Sequence, residues 1–406
     1  MTTVDGGFNP FEPGFTDDPY PWYAAMRAAG RMHRSAFGPL VLSHHEDCFA
    51  LLRQPGTSVD ERNVTGAPYQ VERMARREPE QRSLLGLDPP DHTRLRRLVA
   101  SAFTVRTVER LRPRVKALVG ELLDDLATAA GGGEPVDLIA GFAFPLPFLV
   151  ISELLGMPEG NRSELRDWSQ AMTLTLEPVI DDAAAERADE AAVKMMAHVA
   201  DAIARKRADP ADDLLSALIA AEEDGDRLSP AELAMQVVLL YLAGHETTVN
   251  LIGNGTLALL QHRDQLERLA ADPSLDADAV EELLRYDSPV QFSRRITLTE
   301  LEVAGETVGP GELVMTLLGS ANRDEAKWGP TAGDLDLRRE GAGTHLAFGS
   351  GIHHCLGAAL ARLEGAEAVP GLVRRFPAME LATDTPARNG RIVLRGLASL
   401  PVTLAG

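Results

Sequence analysis

Cys355 lies in the segment of this chain that is best equipped for chemistry, Phe348–Gly357, which reads FGSGIHHCLG. Gly349 and Gly351 permit a tight turn whose backbone amides can point at one sulfur atom. Gly357 marks the start of a predicted helix, and the N-terminus of a helix stabilises a thiolate. The spacing therefore predicts a specialised thiolate at Cys355.

Several kinds of chemistry could use this cysteine. A zinc site needs four converging ligands, but the adjacent side chains of His353, His354 and Cys355 diverge and no second cluster supplies the rest. A c-type haem would need a C-x-x-C-H motif, which the sequence lacks. A nucleophilic cysteine stays open, although it does not explain the glycines. A thiolate that is the sole protein ligand of a haem iron fits the pattern, because it donates electron density that favours O–O cleavage.

A second cluster, AGHETT at 243–248, lies inside the long apolar helix predicted for Pro230–Gln261. The simplest account is that a glycine and two threonines cost the helix some stability. The chemical interpretation is that Gly244 lets a flat cofactor approach the helix backbone. Glu246 and Thr247 would then form a carboxylate–hydroxyl pair that relays protons to bound dioxygen.

Phe348–Gly357 resembles the F-x-x-G-x-H-x-C-x-G signature of the cytochrome P-450 family, with every signature position filled. Three further blocks resemble family motifs in the right order: DPPDHTRLRR at 88–97, AGHETT at 243–248 and ELLR at 282–285. Together they extend the resemblance over nearly the whole chain, which looks like a soluble bacterial member. The resemblance implies a mainly α fold with a minor β-sheet subdomain, the cytochrome P-450 fold. It also implies haem b (iron protoporphyrin IX) with Cys355 as axial thiolate and metal ligand.

The resemblance also gives roles to other side chains of these blocks. Glu246 and Thr247 match the acid and the alcohol that deliver protons in the family. Four residues match the family's partners of the haem propionates, which need positive or hydrogen-bonding groups when buried: His92, Arg96, Arg295 and His353. His92 and Arg96 are four apart and so share one face of a predicted helix, which Asp88 is expected to cap.

Glu282 and Arg285 are three residues apart on a predicted helix. In isolation such a pair is usually on the surface and contributes a few tenths of a kcal/mol. Within the resemblance it corresponds to the family's buried structural pair, which serves folding and haem incorporation. Members usually carry an arginine upstream of the haem loop as a third partner. Residues 333–338 read GDLDLR, with Gly or Asp where that arginine is expected, so the third partner is left unassigned.

The resemblance implies a monooxygenase that inserts one oxygen atom from O2 into a medium or large organic substrate, by hydroxylation or epoxidation. No G-x-G-x-x-G after a predicted strand and no Walker-type phosphate loop is found, so the electrons must come from a separate protein. We expect a ferredoxin or flavodoxin with its reductase. Two alternatives stay open: a peroxide-driven peroxygenase, whose relatives usually lack the acid–alcohol pair, and a non-catalytic haem-based binding or sensing protein.

The elements that must hold these residues are mostly helical. Apolar residues spaced by three and four predict helices over Val108–Leu126, Ala183–Ala204, Pro230–Gln261, Ala277–Tyr286 and Leu356–Arg374, the last kinked or ended by Pro370. β-Branched residues predict strands over Ile296–Val303 and Thr307–Leu318, with shorter ones at Leu40–Leu42, Ile392–Leu394 and Val402–Leu404. No repeat or change of composition interrupts the chain, so residues 1–406 are predicted to form a single domain.

The charge is uneven along the chain. Its net value is −20, which excludes a general nucleic-acid binder and docking on an anionic membrane. Between Arg94 and Lys116, however, there are eight basic residues and one acidic residue, a pattern that predicts a docking surface for an acidic redox protein. Only two cysteines, no secretory leader and no apolar run long enough for a bilayer predict a cytoplasmic protein.

Overall fold

The computed structural model describes residues 8–65, 82–102, 104–157, 162–178, 180–223 and 226–404. Helices dominate this part of the chain. In chain order they are α1 (Tyr20–Ala29), α2 (His45–Arg53), α3 (Asp91–Ala102), α4 (Val105–Glu109), α5 (Arg112–Ala130), α6 (Pro145–Leu155), α7 (Arg162–Thr173), α8 (Asp182–Ala208), α9 (Leu214–Ala220), α10 (Pro230–Gln261), α11 (Arg263–Ala271), α12 (Asp276–Tyr286), α13 (Leu318–Ala321), α14 (Glu325–Trp328) and α15 (Ala358–Arg375).

The strands are short and form small sheets. They are β1 (Met32–Arg34), β2 (Leu40–Leu42), β3 (Thr57–Ser58), β4 (Val136–Asp137), β5 (Glu222–Glu223), β6 (Asp226–Arg227), β7 (Phe292–Thr297), β8 (Leu301–Val303), β9 (Glu306–Val308), β10 (Leu313–Leu317), β11 (Glu380–Leu381) and β12 (Pro401–Thr403). The largest sheet has five strands in the order β1-β2-β10-β7-β3. A three-stranded sheet (β11-β12-β4) and two hairpins (β5–β6 and β8–β9) complete the strands named here.

The five-stranded sheet joins segments that are far apart in the chain. β10 pairs with β2 in parallel, with Val314 opposite Leu40, and with β7 in antiparallel register, with Val314 opposite Arg295. Val41, Leu42, Ile296 and Val314 are fully buried, as expected for β-branched and aliphatic residues at the centre of a covered sheet. The sheet thereby fixes the backbone of Arg295.

The chain divides into two compact units. The first contains the described residues of 1–57, 112–146 and 247–406, and the second contains those of 58–111 and 147–246. In the first unit, a buried apolar cluster joins α10, α11, α12 and α15 through residues such as Leu259, Leu266, Leu283 and Val373. The organisation as a single domain stays a prediction.

The long helix α10 has the bounds that the sequence predicts, Pro230–Gln261. Its start is set by a reciprocal cap, in which the Glu232 amide donates to Ser229 Oγ at 3.2 Å and the Ser229 amide donates to Glu232 Oε2 at 2.7 Å.

Helix α5 begins at Arg112, and its second residue is Pro113. Proline fits this position because the N–H groups of a first turn have no partner within the helix, so the missing N–H costs nothing. The predicted helix Val108–Leu126 is therefore two helices, α4 and α5.

Other expectations also differ from the structure, among them the strands predicted for Ile296–Val303 and Thr307–Leu318, each of which is two strands. The carboxylate of Asp88 does not cap α3, because it accepts hydrogen bonds from the Ser58 hydroxyl and, at 2.9 Å, from the Val59 amide. Ile392–Leu394 is not a strand, since only an isolated bridge joins Leu394 to Val290. The helix after the cysteine reaches Arg375, close to the predicted Arg374, so of the two effects expected of Pro370 an end of the helix is excluded. Of the helices in the described residues, none has the length and apolar character needed to cross a bilayer.

Candidate active site

The loop before Cys355 is a tight turn, as its glycines predict. Gly349 and Gly351 adopt φ angles of +66° and +73°, which side-chain-bearing residues rarely adopt. The Cys355 amide donates to the Phe348 carbonyl at 3.0 Å, closing the loop, and the Cys355 side chain is exposed. A Cβ added to Gly357 would lie 4.0 Å from Cys355 Sγ. The sulfur is therefore beside the N-terminus of α15, where the positive end of the helix dipole lowers the energy of a thiolate.

Arg295 and the cysteine loop meet at the last turn of α2. Arg295 is 4% exposed, and its Nη2 donates to the Leu52 carbonyl at 3.3 Å while its Nη1 donates to the Arg294 carbonyl at 2.7 Å. The same Leu52 carbonyl lies against Gly351, where a Cβ would collide with it. Gly351 is thus required both by its φ angle and by this close approach. His353, in the short 3-10 turn that follows, is half-buried.

His92 and Arg96 lie on α3 in the other unit. His92 is 2% exposed and Arg96 is half-buried, four residues further along the helix. The guanidinium of their neighbour Arg94 forms ion pairs with Glu232, in the first turn of α10, and with Asp226. The charge of Arg94 is therefore neutralised by carboxylates.

The middle of α10 carries the carboxylate and the hydroxyl in sequence. Glu246 is 6% exposed and Thr247 is half-buried. The preceding His245 is fully buried; its Nδ1 donates to the Tyr241 carbonyl at 2.7 Å, and its ring packs against Phe148 with 5.9 Å between centroids. Burial lowers the pKa of His245, and the charge of Glu246 only partly opposes this. A neutral imidazole therefore adjoins the carboxylate at neutral pH.

Gly244 packs closely against a second helix. A Cβ at this position would lie 2.8 Å from Cδ1 and Cγ1 of Ile151 on α6, closer than such atoms approach. The two helices belong to the same unit at this point and pack with glycine facing isoleucine. Helix packing therefore requires the absence of a side chain at Gly244, because Ile151 fills the space.

The pair Glu282–Arg285 is fully buried, as the resemblance implies. Arg285 Nε donates to Glu282 Oε2 at 2.7 Å, and its Nη2 donates to Oε1 at 2.8 Å. The third partner that the sequence left unassigned is Arg339, whose Nε donates to Glu282 Oε1 at 3.2 Å. The sequence contains this arginine as Asp336-x-x-Arg339, one residue after the segment 333–338. The Asp336 amide also donates to Glu282 Oε1, at 2.9 Å.

The structure groups the predicted site residues as follows. Arg295, His353 and Cys355 lie in the first unit, where Leu52 connects the strand of Arg295 with the cysteine loop. His92, Arg96 and Glu246 lie in the second unit, and Thr247 is the residue at which the first unit resumes. Within the first unit the donor set fits a haem: an exposed sulfur at a helix N-terminus could bind iron, and the basic side chain of Arg295 could pair with a propionate.

Comparison with known proteins identifies the class of this one. The family model for cytochrome P450 matches residues 39–395. The chain belongs to this family, and it is a cytochrome P450 monooxygenase.

Similar proteins match over most of their length. The vitamin D(3) 25-hydroxylase of Pseudonocardia autotrophica is 42% identical over 97% of this chain and 96% of its own. The 6-deoxyerythronolide B hydroxylase of Saccharopolyspora erythraea is 44% identical over 79% of this chain and 77% of its own. The structure of the bacillaene polyketide synthase cytochrome P450 PksS of Bacillus subtilis 168 has a TM-score of 0.88 at 38% identity, with 98% of this chain and 100% of that one covered. The predicted family and fold class are confirmed.

Proposed function

We propose that this enzyme inserts one oxygen atom from O2 into a C–H or C=C bond of a medium or large organic substrate. The observation that carries the proposal is the exposed sulfur of Cys355 at the N-terminus of α15, held by a glycine turn. Cys355 would be the protein ligand that binds the iron of haem b, and His92, Arg96, Arg295 and His353 would hold its propionates. When bound, the haem supplies the iron at which dioxygen is reduced.

Glu246 and Thr247 would hold and move the protons that this reduction requires. Glu246 is buried and Thr247 is half-buried, on the same turn of α10. A positioned proton donor typically contributes 10²–10⁴-fold. Substitution of the hydroxyl by a methyl group keeps the shape of the side chain but removes the relay.

Thr247→Val is therefore expected to lower the fraction of consumed O2 that appears in product about tenfold, the remainder being released as peroxide. The measurement compares O2 uptake, product and peroxide under the same supply of electrons. Thr256→Val is the matched control, because Thr256 is fully buried on the same helix and its hydroxyl has no hydrogen-bond partner among the described residues. An unchanged product yield in Thr247→Val would contradict the proposed relay.

The same assay separates the two alternatives. A peroxygenase would form product from peroxide at least as fast as from O2 and electrons. A haem-based binding or sensing protein would show no substrate-dependent uptake of O2 when electrons are supplied. The acid–alcohol pair favours the monooxygenase over both.

For the substrate, we propose a large neutral or cationic molecule in preference to a carboxylate. Two of the relatives described above are named as hydroxylases of vitamin D(3) and of 6-deoxyerythronolide B. In addition, the stretch Glu177–Glu190 contains six acidic residues and one arginine, and most of these side chains are exposed. Negative charge near the family's usual substrate entrance would disfavour anions. We expect neutral polyketides and sterol-like compounds to shift the Soret band more often than fatty acids do; a screen that returned mainly fatty acids would contradict this.

The electron donor is proposed to be an acidic ferredoxin or flavodoxin, with its reductase. Three of the eight basic residues between Arg94 and Lys116 form ion pairs with carboxylates, which reduces the positive charge available to a partner. Arg94 pairs with Glu232, Arg112 with Glu367 at 2.6 Å, and Arg114 with Glu121 at 3.0 Å. Arg106 and Arg110, on and directly after α4, are exposed. Arg106 and Arg110 are therefore better candidates for steering an acidic partner than the three paired arginines.

Arg106→Glu with Arg110→Glu is expected to slow reduction by such a ferredoxin about tenfold or more at low salt and to flatten its salt dependence. Stopped-flow reduction in a salt series measures both quantities. The control is Arg187→Glu with Lys194→Glu, which makes the same charge change on exposed residues of α8. Equal rates in the two double variants would exclude the proposed docking residues.

A further inference from the structure

The ring of Phe348, which opens the cysteine loop, is held from two sides. The guanidinium carbon of Arg362, on α15, lies 4.6 Å from the centre of the Phe348 ring, a cation–π geometry. The ring of His345 lies 5.5 Å away on the segment that enters the loop. Because the carbonyl of Phe348 accepts the hydrogen bond of the Cys355 amide, an ordered Phe348 is an ordered attachment point for the cysteine.

Both neighbours of Phe348 are bound by one carboxylate, that of Glu281 on α12. Arg362 donates to it through Nε at 2.5 Å and through Nη2 at 3.1 Å, in a two-pronged arrangement that fixes the plane of the guanidinium. His345 Nε2 lies 3.2 Å from Glu281 Oε2. The Ala347 amide donates to His345 Nδ1 at 3.1 Å, which assigns the ring proton to Nε2, on the side of the carboxylate.

The carboxylate of Glu281 is ionised over the working pH range. Burial raises its pKa, but the nearby His345 ring and the hydrogen bonds from Arg362 outweigh burial and hold the pKa at about 2. Glu281 therefore keeps its charge and its hold on Arg362.

We propose that Glu281 and Arg362 are positioning residues that order the Cys355 thiolate through Phe348. The inference rests on the proposed function, in which that thiolate binds the haem iron. Two residues of the loop, Gly349 and Gly351, lie at positive φ, and the Cys355 amide is bonded to the Phe348 carbonyl, so the position of Phe348 bears directly on that of the cysteine. Without the guanidinium, Phe348 would keep its apolar contacts with the neighbouring core. It would lose the charged group that selects one position of its ring, and the thiolate would be protonated or displaced more readily.

The test is the absorption spectrum of the chemically reduced, CO-bound holoenzyme, in which a strongly red-shifted Soret band reports thiolate ligation. Chemical reduction makes the test independent of partner docking. In Arg362→Ala, the ratio of unshifted to shifted complex is expected to rise about fivefold. Arg362→Lys, which retains a cation above the ring but not the two-pronged contact, is expected to restore part of the shifted band.

Arg374→Ala is the matched control. Arg374 also connects α15 to α12 through a carboxylate, that of Asp276, and its side chain is 30% exposed against 37% for Arg362. It is expected to lower stability comparably and to leave the spectrum unchanged. Where Arg362→Ala yields too little holoenzyme, Glu281→Gln gives the same comparison, with about a twofold rise in the ratio.

The outcomes distinguish the two proposals. A wild-type protein without a red-shifted band would overturn thiolate ligation itself. A red-shifted wild type with equal ratios in Arg362→Ala and Arg374→Ala would overturn the positioning role and leave the proposed function intact. Loss of the band in Arg362→Ala and in Arg374→Ala alike would show a general effect of helix docking and would also overturn it.

Discussion

Cys355→Ser is expected to abolish the red-shifted Soret band of the reduced, CO-bound protein and to lower substrate oxidation more than about 100-fold. Removal of a residue that only hydrogen-bonds to a metal ligand typically lowers metal affinity or activity 10–100-fold. Here the proposed protein ligand itself is removed, so a larger loss is expected. A serine hydroxyl is not ionised at neutral pH and donates far less electron density to iron than a thiolate does. The spectrum and the rate of product formation measure the two effects.

Cys48→Ser is the matched control, because it makes the same atomic change at the other cysteine. Cys48 is fully buried on α2, its Sγ–H donates to the Leu42 carbonyl at 3.4 Å, and burial raises the pKa of its thiol. We expect a stability loss of about 1–2 kcal/mol and an unchanged spectrum. A red-shifted band that survived in Cys355→Ser would rule out Cys355 as the ligand.

Arg285→Ala is expected to lower the free energy of unfolding by about 3–5 kcal/mol, because it leaves the buried carboxylate of Glu282 without its main partner. Arg285 also donates to the carbonyls of Asn322 and Ala332, at 2.8 and 2.7 Å, and these would lose a buried donor. Since a domain is typically stable by 5–15 kcal/mol, much of the protein would fail to accumulate folded at 37 °C. Urea unfolding followed by circular dichroism measures the change.

Two further variants calibrate this effect. Arg339→Ala removes the second arginine from Glu282 but leaves the fully buried pair, so a smaller loss of about 1–2 kcal/mol is expected. Arg268→Ala breaks a surface ion pair with Asp336, 3.9 Å long, in the same region and is expected to cost less than about 0.5 kcal/mol. If Arg285→Ala proved no more costly than Arg268→Ala, the pair would not be the structural centre that its burial indicates.

Local signals in the sequence were sufficient where neighbouring residues decide the structure. The start of α10 follows from the Ser229–Glu232 cap, and the turn before Cys355 follows from its glycines. The fold class followed from helical periodicity and from motifs in a fixed order.

The sequence was insufficient where the partner of a side chain comes from elsewhere in the chain. The carboxylate of Asp88 could accept a hydrogen bond either from the start of the nearby helix or from the Val59 amide. In the folded chain it accepts from Val59. Gly244 packs against Ile151, which is distant in the sequence, so the residues around Gly244 do not predict the contact. Arg339 likewise binds Glu282 from more than fifty residues away. The roles of His92, Arg96, Arg295, His353, Glu246 and Thr247 stay predictions for the same reason.

The discontinuity of the first unit has a consequence for biosynthesis. Strand β2, near the start of the chain, has its parallel neighbour in β10, which the ribosome makes much later, and non-local pairing of this kind is slow to form. The carbonyl of Leu52, which supports both Arg295 and the cysteine loop, is likewise made long before either of them. The unit that carries Cys355 therefore cannot be completed during translation until α15 has emerged, and a haem bound by Cys355, as proposed, would be captured only after that point.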